Sequence, residues 1–367
     1  MPTPGPSSVP RPGQAWPFPS TPGGPRKPTA PCTDARLPSP DVVTDRRWLP
    51  SFWQSMTMLT VIGEGLVDVV QRASGIEAHV GGSPLNVAVG LARLDHPVQF
   101  IGRYGRDAYG DSVAAHLRAS SVMLPLGPDE LPTSVATALI DDDGAATYTF
   151  DLTWELPGIA DRLAFMLQGT TLLHTGSIAT MLAPGATDVL AAVEYAHPHA
   201  TISFDPNCRP SIITDVDYAR RHTEKFVTLA DVVKASDEDL AWLYPDMDVL
   251  DAARRWLSLG GSEGPAMVVV TRGAEGPWGV CHAGEAKVPA PRVEVADTVG
   301  AGDSFMAALL SGLVDRGLDG AQNRKDLREL PAEGLAELLA HAARAAAVTV
   351  SRPGANPPTR AELDAVL

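Results

Sequence analysis

Asp297-Thr298-Val299-Gly300-Ala301-Gly302-Asp303-Ser304-Phe305 decides how the rest of the chain is read. Before it, Pro291-Arg292-Val293-Glu294-Val295 alternates in the manner of a short strand. After it, Met306-Ala307-Ala308-Leu309-Leu310-Ser311-Gly312-Leu313 predicts an apolar helix. A tight Gly-Ala-Gly turn thus opens a helix, and its two glycines let backbone approach a ligand closely. Free N–H groups at a helix start, with a dipole equivalent to about +0.5 charge, form an anion site. Asp303 falls in the first turn beside that site. A carboxylate there does not hold an anion, but it is placed to take a proton from an attacking hydroxyl. Read alone, Gly300 to Asp303 also describe a plain turn with a dipole-compatible acid, so the remaining chain must decide.

The 367 residues suffice for one large α/β domain or two smaller ones, and 44% hydrophobic content fits a sizeable core. A net charge of −15 argues against a nucleic-acid surface and an anionic membrane face as partners, while a local amide cradle can still bind ATP. The three cysteines, Cys32, Cys208 and Cys281, have no close sequence partner, which predicts neither a metal cluster nor a disulfide framework and points to a cytoplasmic setting. No run of apolar residues is long enough to span a membrane.

Residues 1–55 are different material. Fourteen of the 33 prolines lie in the first 50 residues, among Gly, Ser and Thr, and no apolar periodicity appears. Such a segment cannot offset its ordering entropy and is expected to be a disordered Pro-rich extension to the domain at 56–367. Trp16, Trp48 and Trp53 offer local packing without a fixed place, and Met56 or Met58 offers an alternative start.

Order begins at Leu59-Thr60-Val61-Ile62-Gly63-Glu64-Gly65-Leu66-Val67-Asp68, a buried strand running into glycines and acids. In α/β sheets ligands gather beyond the carboxyl ends of strands, so Asp68 is either a ligand contact or a turn carboxylate. Gly81-Gly82-Ser83-Pro84-Leu85-Asn86 then leads into a small-residue helix, with Pro84 suited to its first turn. Val98-Gln99-Phe100-Ile101-Gly102 predicts a second strand. Thr133 to Ile140 and Ala145 to Phe150 read as a hairpin about Asp143-Gly144; the acid run Asp141-Asp142-Asp143 lacks calcium-loop spacing. From residue 171 strands and helices alternate: Thr171–Gly176, Thr201–Asp205, Val232–Ser236 and Ala266–Thr271 predict strands of a parallel sheet. His197 and His199 lack a third ligand and read as loop residues, and His174 receives no role.

The string Asp297 to Phe305 resembles the C-terminal signature D-T-x-G-A-G-D-x-F of the ribokinase-like, or pfkB, carbohydrate kinases. Residues 61–111 resemble the family's N-terminal half, with G-E-x-x-x-D, G-G-x-x-x-N-x-A and F-I-G-x-x-G-x-D-x-x-G in order. The resemblance implies a three-layer α/β/α fold with a mostly parallel central sheet and a small β-sheet lid. It implies phosphorylation of a sugar hydroxyl by ATP, with Asp303 as the base and the amides of Gly300, Ala301 and Gly302 as the anion hole. Asp68, Gly81, Gly82 and Asn86 would hold sugar hydroxyls, a task suited to carboxylate and amide groups. Asp205-Pro206-Asn207-Cys208-Arg209 resembles the D-x-N-x-R string of fructokinase-like members, where Arg209 meets a sugar hydroxyl or a phosphate; a structural ion pair is the alternative.

On the nucleotide side, Thr271-Arg272-Gly273-Ala274-Glu275-Gly276 matches T-x-G-x-x-G and gives Thr271, Gly273 and Gly276 to ATP. Ser236 and Asp239 stand at the family's N-x-x-E place, with Ser for Asn and Asp for Glu, so the shorter carboxylate keeps the charge but not the reach. Mg²⁺ would arrive on the ATP phosphates and reach protein through water, since no Walker sequence occurs. Asp297, Val299, Thr349, Arg352 and Gly354 match a K⁺ site of several relatives. The resemblance also admits a homodimer, because lids in this family often pair across one. The segment Gly81 to Asn86 is nearer to fructokinases than to ribokinases, which favours fructose phosphorylated at its 6-hydroxyl. Alternatives are 2-keto-3-deoxygluconate, ribose or a nucleoside, and a non-catalytic sugar-sensing protein of the same fold. A dinucleotide enzyme is excluded, because no GxGxxG with an acidic partner follows the first strand.

Overall fold

The computed structural model describes residues 57–72, 75–140 and 146–365. The Pro-rich extension to residue 55, Met56 and the Asp143-Gly144 turn lie outside the described residues. In chain order the strands are β1 (Met58–Ile62), β2 (Leu66–Arg72), β3 (Gly75–Gly81), β4 (Val98–Ile101), β5 (Val135–Ile140) and β6 (Ala146–Asp151). There follow β7 (Thr170–Gly176), β8 (Thr201–Asp205), β9 (Val232–Ser236), β10 (Met267–Thr271), β11 (Trp278–Cys281) and β12 (Gly284–Lys287).

Eight strands form one sheet in the order β12-β11-β10-β9-β8-β7-β1-β4. Its strands from β4 to β10 pair in parallel, and β11 and β12 close one edge as antiparallel strands. Strand side chains alternate between faces, so a strand apolar at every position must be covered twice. In β10, Met267 and Val269 enter one apolar cluster while Val268 and Val270 enter the other. The first cluster includes the helices Ser83–Arg93, Ala301–Val314 and Ala332–Val350. The second includes Gly185–Ala196, Val216–Val227 and Val249–Leu257. Three layers, helix on sheet on helix, result, as the strand–helix alternation anticipates.

A smaller sheet is ordered β3-β2-β5-β6, and only its β2–β5 pair is parallel. Beyond β1 the chain places β4 on one side, then β7 on the other. The carboxyl ends of β1 and β7 therefore flank a topological switch, where open α/β sheets leave a crevice for ligands. One local expectation fails: Pro291–Val295 forms no ladder. Its alternation is real, but among the described residues no strand runs alongside to pair with it, and alternation without a ladder partner makes no strand.

Candidate active site

The helix Ala301–Val314 starts without any side-chain cap. Gly300 precedes it at φ 74, a left-handed conformation that disfavours a Cβ, and a Cβ there would lie 2.6 Å from that of Ala355. Ala301 N, expected in the anion hole, donates instead to Thr298 O at 3.3 Å, closing the turn, while the N–H groups of Gly302 and Asp303 have no acceptor among the described residues and remain available to an anion. The helix Ser83–Arg93 also starts uncapped, after Gly82 at φ 112. A Cβ on Gly82 would fall 2.6 Å from the carbonyl oxygen of Glu64. These helices pack closely, with a Cβ on Gly90 only 2.6 Å from that of Ala307. Their contact brings the two distant motifs together.

Asp303 is the meeting point. Its carboxylate is buried, and Ser83 Oγ donates to Oδ1 at 2.6 Å while Asn86 Nδ2 donates to Oδ2 at 2.8 Å. Asn86 thus contacts the acid directly and keeps its own carbonyl oxygen for another partner. Ser83 was given no role by the sequence reading.

Nor was Lys234, which projects from the middle of β9. Its Nζ sits 2.7 Å from Asp205 Oδ2, and both side chains are buried. A Cβ on Gly302 would stand 3.0 Å from that Nζ, so the ammonium lies against the Gly-Ala-Gly turn. Burial pulls its pKa down, but the carboxylates of Asp205, Asp239 and Asp303 prevail and hold it above the ordinary lysine value. A signal existed: a lysine within Val232-Val233-Lys234-Ala235, a strand covered on both faces, needs a buried counter-charge.

Ser236 and Asp239 form a capping box at the start of the helix Asp237–Leu243. Asp239 accepts Ser236 N at 2.9 Å on one oxygen and Cys208 N at 2.7 Å on the other. The departure from N-x-x-E therefore yields a carboxylate engaged in holding the Asp205–Arg209 loop as well as its own helix. Thr271 pairs with Ser236 across the β9–β10 ladder, so these two strand ends are adjacent. Gly273 opens a single 3₁₀ turn beyond Thr271 and Gly276 follows it, each at positive φ.

Asp68 is on β2, opposite His79, and a Cβ on Gly81 would collide with its carboxylate. Its side chain is exposed, yet desolvation by the surrounding chain still raises its pKa, opposed by the charges of Arg209 and His79. Arg209 is exposed and donates to Asn207 Oδ1 at 2.7 Å, and among the described residues no carboxylate pairs with it directly. Its positive charge lowers the pKa of both Asp68 and Glu64, against the desolvation that raises them.

Glu64, at the switch beyond β1, is buried and accepts Ala179 N at 3.2 Å. Burial raises its pKa from 4.5 to about 7, against hydrogen bonds from backbone and Ser177 and the charge of Arg209. Between these values the folded chain holds a proton that the unfolded chain has lost. Stability from this group is therefore complete below pH 4.5 and declines as pH rises through about 7. Glu64→Gln keeps the acceptor and removes the titration. Its stability should fall less than that of the parent between about pH 5 and about pH 8, by up to about 3 kcal/mol, read as a shallower decline of melting temperature with pH. Equal slopes in thermal melts would remove Glu64 from the balance.

The expected cation-site residues also gather. Asp297 accepts Val299 N at 3.0 Å and Gly354 N at 2.8 Å, and those bonds lower its pKa. Ala296 N and Asp297 N both donate to Val350 O. Thr349 directs its hydroxyl away, to Ser304 Oγ and Ala345 O, and Arg352 is paired with Glu362 at 2.7 Å. The end of the helix Ala332–Val350 and the loop after it thus brace the glycine turn before Asp303. Among the described residues no three His, Cys, Asp or Glu side chains are grouped to hold a metal ion, and no helix is long and apolar enough to cross a membrane.

Known proteins share this arrangement of elements. The family described as pfkB family carbohydrate kinase matches residues 47–362. Fructokinase of Rhizobium leguminosarum bv. trifolii is 33% identical over 273 residues, 70% of this chain and 79% of its own length. The fructokinase of Xylella fastidiosa, solved with bound ATP, superposes with a TM-score of 0.75 at 26% identity, over 85% of this chain and 98% of that one. A double-mutant fructokinase of Vibrio cholerae O395, with fructose, ADP and potassium bound, gives 0.68 at 26% identity and the same coverage. The family match spans both glycine turns and the acid between them, and the chain belongs to the pfkB family of carbohydrate kinases, enzymes that phosphorylate sugars with ATP.

Proposed function

We propose that the chain transfers the terminal phosphoryl group of ATP to the 6-hydroxyl of fructose, with Asp303 as general base. One observation carries the reading. The Asp303 carboxylate is held in the first turn of an uncapped helix, beside the Gly300–Gly302 amides, with the Lys234 ammonium against the same turn. A sugar hydroxyl that gives its proton to Asp303 would face a phosphoryl group held by those amides and that ammonium. Donors aimed at the developing charge are the main resource of phosphoryl-transfer catalysts.

In this reading Asp68, the Gly81 and Gly82 amides, the free carbonyl oxygen of Asn86, and Arg209 hold the sugar. Ser236, Asp239, Thr271, Gly273 and Gly276 line the nucleotide side. Mg²⁺ enters on the ATP phosphates and neutralises their charge. K⁺ would be held by carbonyl oxygens near Asp297, Val299, Thr349, Arg352 and Gly354, around the Asp297 carboxylate. The smaller sheet serves as a lid whose closure excludes water and so limits ATP hydrolysis. Two such lids would pair in a homodimer. The choice of fructose rests on Gly81 to Asn86 and on the relatives named fructokinase.

ADP release over a panel of fructose, 2-keto-3-deoxygluconate, ribose and nucleosides, with Mg²⁺ and with or without K⁺, tests this. Fructose should give the highest kcat/KM, and K⁺ should raise turnover. A different preferred acceptor changes the substrate. No ADP with any acceptor sinks the catalytic reading, and full activity in dialysed, K⁺-free enzyme removes the cation.

A further inference from the structure

We infer that Ser83 is a positioning residue for the catalytic base, an inference that rests on Asp303 being that base. Ser83 and Asn86 are three apart on the first turn of one helix, so their side chains lie on the same face. They donate to different oxygens of one carboxylate, Ser83 to Oδ1 and Asn86 to Oδ2. Two donors from one rigid turn set both the plane and the tilt of the carboxylate, where one donor would leave it free to rotate. The Ser83 bond, at 2.6 Å, has the length of a charge-assisted O–H···O⁻ bond. The turn that carries the donors is itself constrained, by Pro84 in its first positions and by Gly82 in a conformation that disfavours a Cβ.

The two donors are not equivalent. Asn86 carries a second polar atom and can serve base and sugar together. Ser83 has a single proton, and it is committed to the base. The helix pair does not need Ser83 for cohesion, since Gly90 and Ala307 and their apolar neighbours make that contact. What Ser83 supplies is the direction of the base toward the acceptor hydroxyl. Errors of about 1 Å in such placement cost on the order of 10²-fold in rate.

Steady-state kinetics of Ser83→Ala and Ser83→Thr, each alone and combined with Asp303→Asn, test the role. Ser83→Ala should lower kcat about 10- to 100-fold while both KM values stay within about twofold. Ser83→Thr, which keeps the hydroxyl, should recover most of the loss. In the Asp303→Asn background Ser83→Ala should cost nothing further. Unchanged kcat in Ser83→Ala, a rise in sugar KM alone, or the same loss in the Asp303→Asn background would each overturn the inference. Thermal melting checks the fold. Should Ala destabilise it, Ser83→Cys, a weak donor of similar size, gives the same comparison. If Asp303→Asn by itself keeps full turnover, the base assignment fails instead.

Discussion

Asp303→Asn is expected to lower turnover by about 10²–10⁴, the usual scale for loss of a general base. The change is nearly isosteric, and its surroundings can absorb it. The new amide can turn its oxygen toward Asn86 Nδ2 and its NH₂ toward Ser83 Oγ, whose hydroxyl rotates to accept. The fold should therefore persist, and calorimetry should find nucleotide and sugar bound much as before. The variant lacks only the capacity to take a proton as the hydroxyl attacks. Phosphoryl transfer then proceeds on positioning and charge stabilisation alone. Turnover equal to the parent would remove Asp303 from the chemistry.

Lys234→Met should be nearly as damaging, by two separable routes. The first is stability. Asp205 is 1% exposed, and its pKa is pushed up to about 6 by burial even with Lys234 beside it. Without the ammonium it becomes an uncompensated buried acid, a change that typically costs about 3–5 kcal/mol. The second is catalysis. Lys234 is the cation nearest the Gly302 backbone, and loss of one donor from such a site lowers turnover about 10²–10³-fold. Adding Asp205→Asn separates the routes, since it removes the stranded charge and should restore melting temperature but not turnover. If the double variant regains activity along with stability, Lys234 is only a structural counter-ion.

Much of the architecture is legible along the chain because it is written in short-range periodicity. Ala266 to Val270 is apolar at successive positions, rich in β-branched valine and bounded by Gly273, a pattern that a short strand covered on both faces accommodates. The uncapped turn at Gly300–Asp303 is legible for a similar reason, since its glycines and the apolar run behind it are contiguous. The failure at Pro291–Val295 marks the limit: alternation describes a strand's faces, not whether a neighbour exists to pair with it. The Ser236–Asp239 cap is legible as Ser-x-x-Asp before a helix, at the same spacing as the family's N-x-x-E motif, so spacing alone does not separate a cap from a nucleotide contact.

The sequence by itself determined the reaction class, the layered α/β fold, and the glycine turn that opens the helix with Asp303 in its first turn, because each depends on residues within a few positions of one another. Only the tertiary structure decided what surrounds that acid. Ser83 and Asn86 reach Asp303 across separations of 220 and 217 residues, and Lys234 reaches the turn from a different strand. Such contacts depend on how two helices and a sheet pack, and side-chain burial along one element carries no record of what lies opposite it.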